Sequence, residues 1–144
     1  LDTEKIMKMA LAHDVAESRT GDVDYLARQY VTRDETKALA DIFHDTSLKN
    51  EFAALLEEYE KRESLEAKIV KDADNLDVDL ELQEQISTGM KLPEDWREFR
   101  KIVADTKLYT QAAKDMHKAI WQSNPHDWHV KSHANRINGG DWKK

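Results

Sequence analysis

Ala10-Leu11-Ala12-His13-Asp14-Val15-Ala16-Glu17 runs directly into Ser18-Arg19-Thr20-Gly21-Asp22. Upstream, Ile6, Met9, Ala10 and His13 recur at spacings of three and four, the rhythm of one helical face, so a helix is expected from about Thr3 to Glu17. Gly21 is suited to terminate it. Within such a helix His13 and Glu17 are four residues apart and Asp14 and Glu17 three, which directs all three side chains towards one region. A neutral imidazole beside a carboxylate suits a divalent cation with mixed N/O preference. Glu17, one turn on, is placed to manage the proton of a water activated by that cation. The competing interpretation is a partly buried histidine hydrogen-bonded by its neighbour, and two other His-Asp pairs, His44-Asp45 and His126-Asp127, show how common the dipeptide is.

The same rhythm continues along the chain. A short helix is expected over Tyr25 to Tyr30, and Asp34 is placed to cap a helix carrying Ala38, Leu39, Ile42 and Phe43. Phe52, Leu55, Leu56 and Tyr59 form the next apolar set, followed by Leu65, Ile69, Val70, Ala73 and Leu76, extending towards Leu80. Ser87 to Pro93 reads as a loop. A long stripe then runs through Phe99, Ile102, Val103, Thr106, Tyr109, Ala113, Met116 and Ile120, until Asn124-Pro125 stops it. No strand-like alternation, internal repeat or low-complexity segment interrupts the series. The fold class is all-α: one compact domain of about six helices over residues 1–137, with a polar tail at 138–144.

Composition agrees. The chain has 144 residues, 40% of them hydrophobic, enough for one core. With 4 Gly and 2 Pro it lacks the turn chemistry of a β-sandwich or barrel. The net charge of -7 argues against binding nucleic-acid polymers, whereas a small anionic substrate is compatible with a bound cation that reverses the local sign. There is no cysteine, so disulfides, thiolate zinc sites and a cysteine nucleophile are excluded. Neither a membrane span nor a signal peptide is visible, and the cytoplasm is the expected location.

The segment His-Asp-x-x-Glu-x-x-x-Gly-Asp, from His13 to Asp22, resembles the central signature of the HD-domain metal-dependent phosphohydrolases, most closely the 5′-deoxynucleotidase branch. A second resemblance lies downstream, in Glu57-Glu58-Tyr59-Glu60 and then Lys71-Asp72-Ala73-Asp74. Together the likeness spans roughly Lys5 to Leu82. It implies a mononuclear metal centre with the ligand order His…His-Asp…Asp, in which His13 and Asp14 are the central pair and Asp74 the last ligand. It also implies Glu17 as the catalytic acid/base and Asp22 as a residue that supports the site or touches the sugar. The first histidine of the set is expected on an earlier helix, ahead of Leu1. Leu1 is not Met, and the chain is expected to be part of something longer.

Helix geometry supports Asp74 over Asp72, because the two point about 160° apart at 100° per residue and Asp72 is expected to face solvent. Asp77 is a possible acceptor orienting a ligand. Lys71 is a candidate for binding substrate phosphate, a surface ion pair being the alternative. Octahedral N/O coordination favours Mn, Fe, Co or Mg over zinc. His126, His129 and His133 have spacings that suit a second metal, but some HD hydrolases have a similar Pro-His-Asp-Trp-His ending, and a structural role is expected. The four tryptophans are expected as core or interface anchors. The expected activity is phosphomonoester hydrolysis of a deoxynucleoside 5′-monophosphate or similar small nucleotide. The alternatives are another nucleotide substrate, or a non-catalytic dimerisation or regulatory module. A homodimer is expected through the long stripe, the alternative being that the stripe is simply core.

Overall fold

Residues 1–131 are described by the computed structural model, and among them there is no strand. The chain divides into two units, Leu1–Lys71 and Asp72 onward.

In the first unit, helix α1 (Thr3–Ala12) begins where the Asp2 carboxylate accepts the Lys5 N–H at 3.0 Å, with Glu4 in the first turn to complement the helix dipole. The helix stops earlier than its periodicity predicts. Beyond Ala12 the backbone tightens to i→i+3 bonds, Val15 N–H to the Ala12 carbonyl at 3.0 Å and Glu17 N–H to the Asp14 carbonyl at 2.9 Å. The imidazole of His13 donates to the Ala10 carbonyl at 2.8 Å, competing for the acceptor that the Asp14 amide would use in a continuing α-helix. A one-turn helix α2 (Glu17–Thr20) follows. Gly21 closes it, with φ 79° and its N–H bonded to the Glu17 carbonyl at 2.8 Å, as its terminating role predicts.

A 3-10 turn at Ala27–Gln29 replaces the short helix expected around Tyr25 to Tyr30; the Asp24 carboxylate organises it by accepting the Leu26 and Ala27 N–H groups. Helix α3 (Glu35–Ile42) is capped by Asp34, which accepts the Lys37 N–H at 2.9 Å. Helix α4 (Lys49–Lys61) ends at Arg62, a left-handed residue with φ 53°. Helix α5 (Leu65–Ser87) then runs for 23 residues, its part up to Lys71 in the first unit. Met9, Leu55, Tyr59, Ala67 and Val70 form the core of this unit, with Ile6 and Phe52 against it. Met9 is fully buried, and burial of a side chain that size stabilises by about 1.5–3 kcal/mol.

The second unit contains the rest of α5, then α6 (Leu92–Asp95), α7 (Arg97–Thr106), α8 (Gln111–Gln122) and α9 (Asp127–Val130). Its core is Leu76, Ala104, Leu108, Ala113 and Ile120. The apolar stripe from Phe99 to Ile120 is divided between two helices, because Thr110 begins a new one by accepting the Ala113 N–H at 3.2 Å. Val103, Ala113 and Ile120 are buried, while Phe99, Ile102, Tyr109 and Met116 are exposed. Six helices in the described residues are eight residues or longer, and the short α2, α6 and α9 add single turns.

Asp72 does not face solvent. It is 3% exposed, and its carboxylate accepts the Tyr109 N–H at 2.7 Å, the Thr110 N–H at 2.9 Å and the Thr110 hydroxyl at 2.7 Å. It thus anchors the start of α8 and is committed to structure.

A buried ionic network lies nearby. Asp79, 1% exposed, accepts Arg100 Nε at 2.7 Å and Nη2 at 3.2 Å, His117 Nδ1 at 2.9 Å and Trp121 Nε1 at 3.1 Å. Arg100, 2% exposed, also donates Nη2 to the Asn75 carbonyl at 2.6 Å. Burial pushes the Asp79 carboxyl up, but the hydrogen bonds from Arg100, His117 and Trp121 outweigh it and hold the group below the usual carboxylate range.

Candidate metal centre

His13 sits at the end of α1 with its side chain 19% exposed. A carbonyl oxygen only accepts, so the 2.8 Å contact of Nδ1 with the Ala10 carbonyl places a proton on Nδ1. That bond fixes the ring and directs Nε2 away from its own backbone, as outer partners do for metal-ligating histidines. The ring also meets Tyr59 edge-on, with centroids 5.5 Å apart, and the Arg62 guanidinium covers the Tyr59 ring 3.3 Å from its centroid. His13 is thereby held from both its polar and its apolar sides.

Nε2 of His13 lies 3.0 Å from Oδ2 of Asp14. His13, Asp14 and Asp74 each offer one donor atom, and these atoms all lie within 4.8 Å of one another. One imidazole nitrogen and two carboxylate oxygens converging in this way make a donor set of the hard, mixed N/O kind that suits Mn²⁺, Fe²⁺, Co²⁺ or Mg²⁺. Asp74 is half-buried on α5, two residues after Asp72.

Glu17 opens α2 and is mostly shielded, with a side-chain exposure of 21%. The tightened backbone between Ala12 and Glu17 brings residues three apart into line, so Asp14 and Glu17 share a face more closely than His13 and Glu17 do. Arg33 Nη1 donates to Glu17 Oε1 at 2.9 Å and to the Gly21 carbonyl at 3.2 Å, while Nη2 lies 2.7 Å from Glu35 Oε1. The Glu17 hydrogen bond, with Glu35 and Asp22 nearby, raises the Arg33 pKa above its ordinary value. Asp22 itself is exposed, and Lys71 is half-buried on α5. Asp77 is exposed. The contribution of Arg33 was not visible in the sequence, since Arg33-Asp34-Glu35 reads locally as a helix start and Glu17 lies 16 residues away.

Beside His13 opens a cavity of about 440 Å³, lined in part by Ala16, Leu39, Phe43, Leu56 and, at more polar positions, Glu35, Lys49 and Glu60. An apolar lining with a few polar groups is the usual character of a small-molecule site. Phe43 is stacked on Phe52 at 5.2 Å, which gives this wall a rigid aromatic backing.

The other His-Asp pairs have different surroundings. His44 and Asp45 also approach to 3.0 Å, but their side chains are 67% and 89% exposed. Asp127 pairs with Lys131 at 2.8 Å, and His126 occupies the cap position of α9. His129 packs edge-on to Trp128 at 5.3 Å. His133 and the tail at 138–144 lie outside the described residues.

Residues 1–122 match the HD-domain family. The 5′-deoxynucleotidase HDDC2 of Danio rerio is 38% identical over 89 residues, covering 58% of this chain and 44% of that protein. Its counterpart in Homo sapiens is 34% identical over 89 residues, with the same coverage of 58% and 44%. The chain therefore spans less than half the length of these curated relatives. No solved structure matches. No helix among the described residues is long and apolar enough to cross a membrane. With the family match covering most of its length, the chain belongs to the HD-domain family.

Proposed function

We propose that this chain provides the reaction centre of a metal-dependent phosphohydrolase that cleaves small nucleotides, with deoxynucleoside 5′-monophosphates as its substrates. The observation that carries this reading is the convergence of His13, Asp14 and Asp74 donor atoms within 4.8 Å. The likeness to relatives named 5′-deoxynucleotidase supports the choice of substrate.

In this reading His13 Nε2 and one carboxylate oxygen each from Asp14 and Asp74 would hold the cation. When bound, the ion supplies Lewis acidity towards a phosphoryl oxygen and towards the attacking water. Glu17 takes the proton of that water through its carboxylate and returns it to the departing nucleoside oxygen. Asp22, exposed beside the Gly21 turn, meets the sugar or steadies the loop. Lys71 offers an ammonium to the substrate phosphate. The apolar wall of Leu39, Phe43 and Leu56 takes the uncharged part of the nucleotide, and its aromatic backing suits a planar base. A cytoplasmic homodimer completes the proposal, with the exposed Phe99, Ile102 and Met116 as its apolar contribution.

The test is phosphate release from a panel of deoxy- and ribonucleoside 5′-monophosphates by the full protein, with Mn²⁺, Co²⁺ or Mg²⁺ added separately. Activity that prefers the deoxy series and falls about 10²–10⁴-fold in Glu17→Ala is expected. No activity with any metal, or full activity in Glu17→Ala, would overturn the reading. Turnover confined to cyclic or triphosphate substrates would retain the centre and reject the substrate.

A further inference from the structure

We infer that Arg33 is a positioning residue for catalysis: its guanidinium fixes the Glu17 carboxylate in the orientation that proton transfer needs. This inference rests on the role given to Glu17 above.

The geometry is specific. Arg33 Nη1 bridges Glu17 Oε1 at 2.9 Å and the Gly21 carbonyl at 3.2 Å, while Nη2 lies 2.7 Å from Glu35 Oε1. One planar group thus ties together the first residue of α2, the turn leading to Asp22 and the first turn of α3. The Arg33 and Glu17 side chains are only 17% and 21% exposed, so their contact is partly dry and less screened than an ordinary surface pair. Only Oε1 of Glu17 takes a hydrogen bond from a described side chain. Oε2 is left as the oxygen with proton-accepting capacity, and rotation about the terminal bond is restrained by the anchored partner.

Charge points the same way. Glu17, Glu35 and Asp22 all act on Arg33. Without its positive charge three carboxylates would share one region and repel, and Glu17 would swing towards solvent. A lysine at this position would carry the charge but present a single point instead of a fork, so it would satisfy the three acceptors incompletely. Glu35 also lines the cavity beside His13, which links the clamp to the wall a substrate would meet.

Two measurements test this. In steady-state kinetics of the full protein, Arg33→Met should lower kcat about 10–100-fold, the loss typical of removing an outer partner, with KM within about twofold. Arg33→Lys should recover part of that loss. In arginine side-chain ¹⁵N spectra of the metal-free protein, hindered rotation should give Arg33 distinct Nη signals that merge in Glu17→Gln. A wild-type kcat in Arg33→Met beside an inactive Glu17→Gln would overturn the role of Arg33 and leave that of Glu17 standing. Full activity in Glu17→Gln would overturn both. A raised KM at unchanged kcat in Arg33→Met would also overturn the inference, because it would make Arg33 a substrate contact.

Discussion

Removing the Asp79 carboxylate tests the buried network of the second unit most directly. Asp79→Ala deletes the acceptor of four hydrogen bonds, two from Arg100 and one each from His117 and Trp121. Arg100 is 2% exposed, and its remaining partner is the Asn75 carbonyl at 2.6 Å, so its positive charge would be stranded. Breaking a buried ion pair from one side costs about 3–5 kcal/mol. Replacing both partners by apolar residues, Asp79→Leu with Arg100→Met, removes the stranded charge and is expected to lie within about 2 kcal/mol of the parent. Urea unfolding at neutral pH, followed by circular dichroism, measures all three proteins. A loss below about 1 kcal/mol in Asp79→Ala, or a double variant no more stable than that single one, would refute the reasoning. The acid dependence carries a sign. The folded carboxyl is held below its unfolded value of about 3.9, so its contribution is complete above that pH and is lost as pH falls through the folded value. The stability gap between the parent and Asp79→Asn should therefore narrow only below about pH 4.

Three further outcomes follow from local geometry. Asp72→Ala should destabilise by about 1–2 kcal/mol in the same unfolding assay, since the start of α8 loses its carboxylate anchor. Gly21→Ala should cost about 1–3 kcal/mol through backbone strain alone, because φ is 79° and nothing lies within 4 Å of the added methyl group; an unchanged midpoint would contradict this. His13→Ala should abolish Mn²⁺ retention on elemental analysis after desalting, whereas His44→Ala should retain the parent's metal content.

The helical architecture was legible because it is written in local spacing. Asp34 and Gly21 do in the structure what their side chains or backbone freedom suggest, since a cap and a terminator act within four residues. The misjudged positions share a different physics. Helix geometry counts only local angles, so Asp72 was expected to face solvent and Asp79 drew no notice, yet both are buried. Their partners lie 37 and 38 residues away for Asp72 and 21 or more for Asp79, beyond any local pattern. The break at Thr110 was hidden for a related reason, because an apolar stripe with the right phase continues across it. At the candidate centre the motif singled out His13, Asp14, Glu17 and Asp74 as candidates, but not Arg33, whose contact with Glu17 depends on the chain returning 16 residues later.

The dipeptide His-Asp occurs three times in this chain, and two of its copies have the same 3.0 Å separation of nitrogen and oxygen. The chain thus contains its own control experiment. Proximity of an imidazole to an adjacent carboxylate is spelled by the dipeptide wherever it occurs and conveys no information about use. What distinguishes the first copy is its address, an imidazole shielded by Tyr59 and tethered through Nδ1 to the turn before it. Grafting the two letters elsewhere would reproduce the short distance and none of the constraint, so a transplantable unit must begin no later than Ala10 and carry an aromatic wall with it.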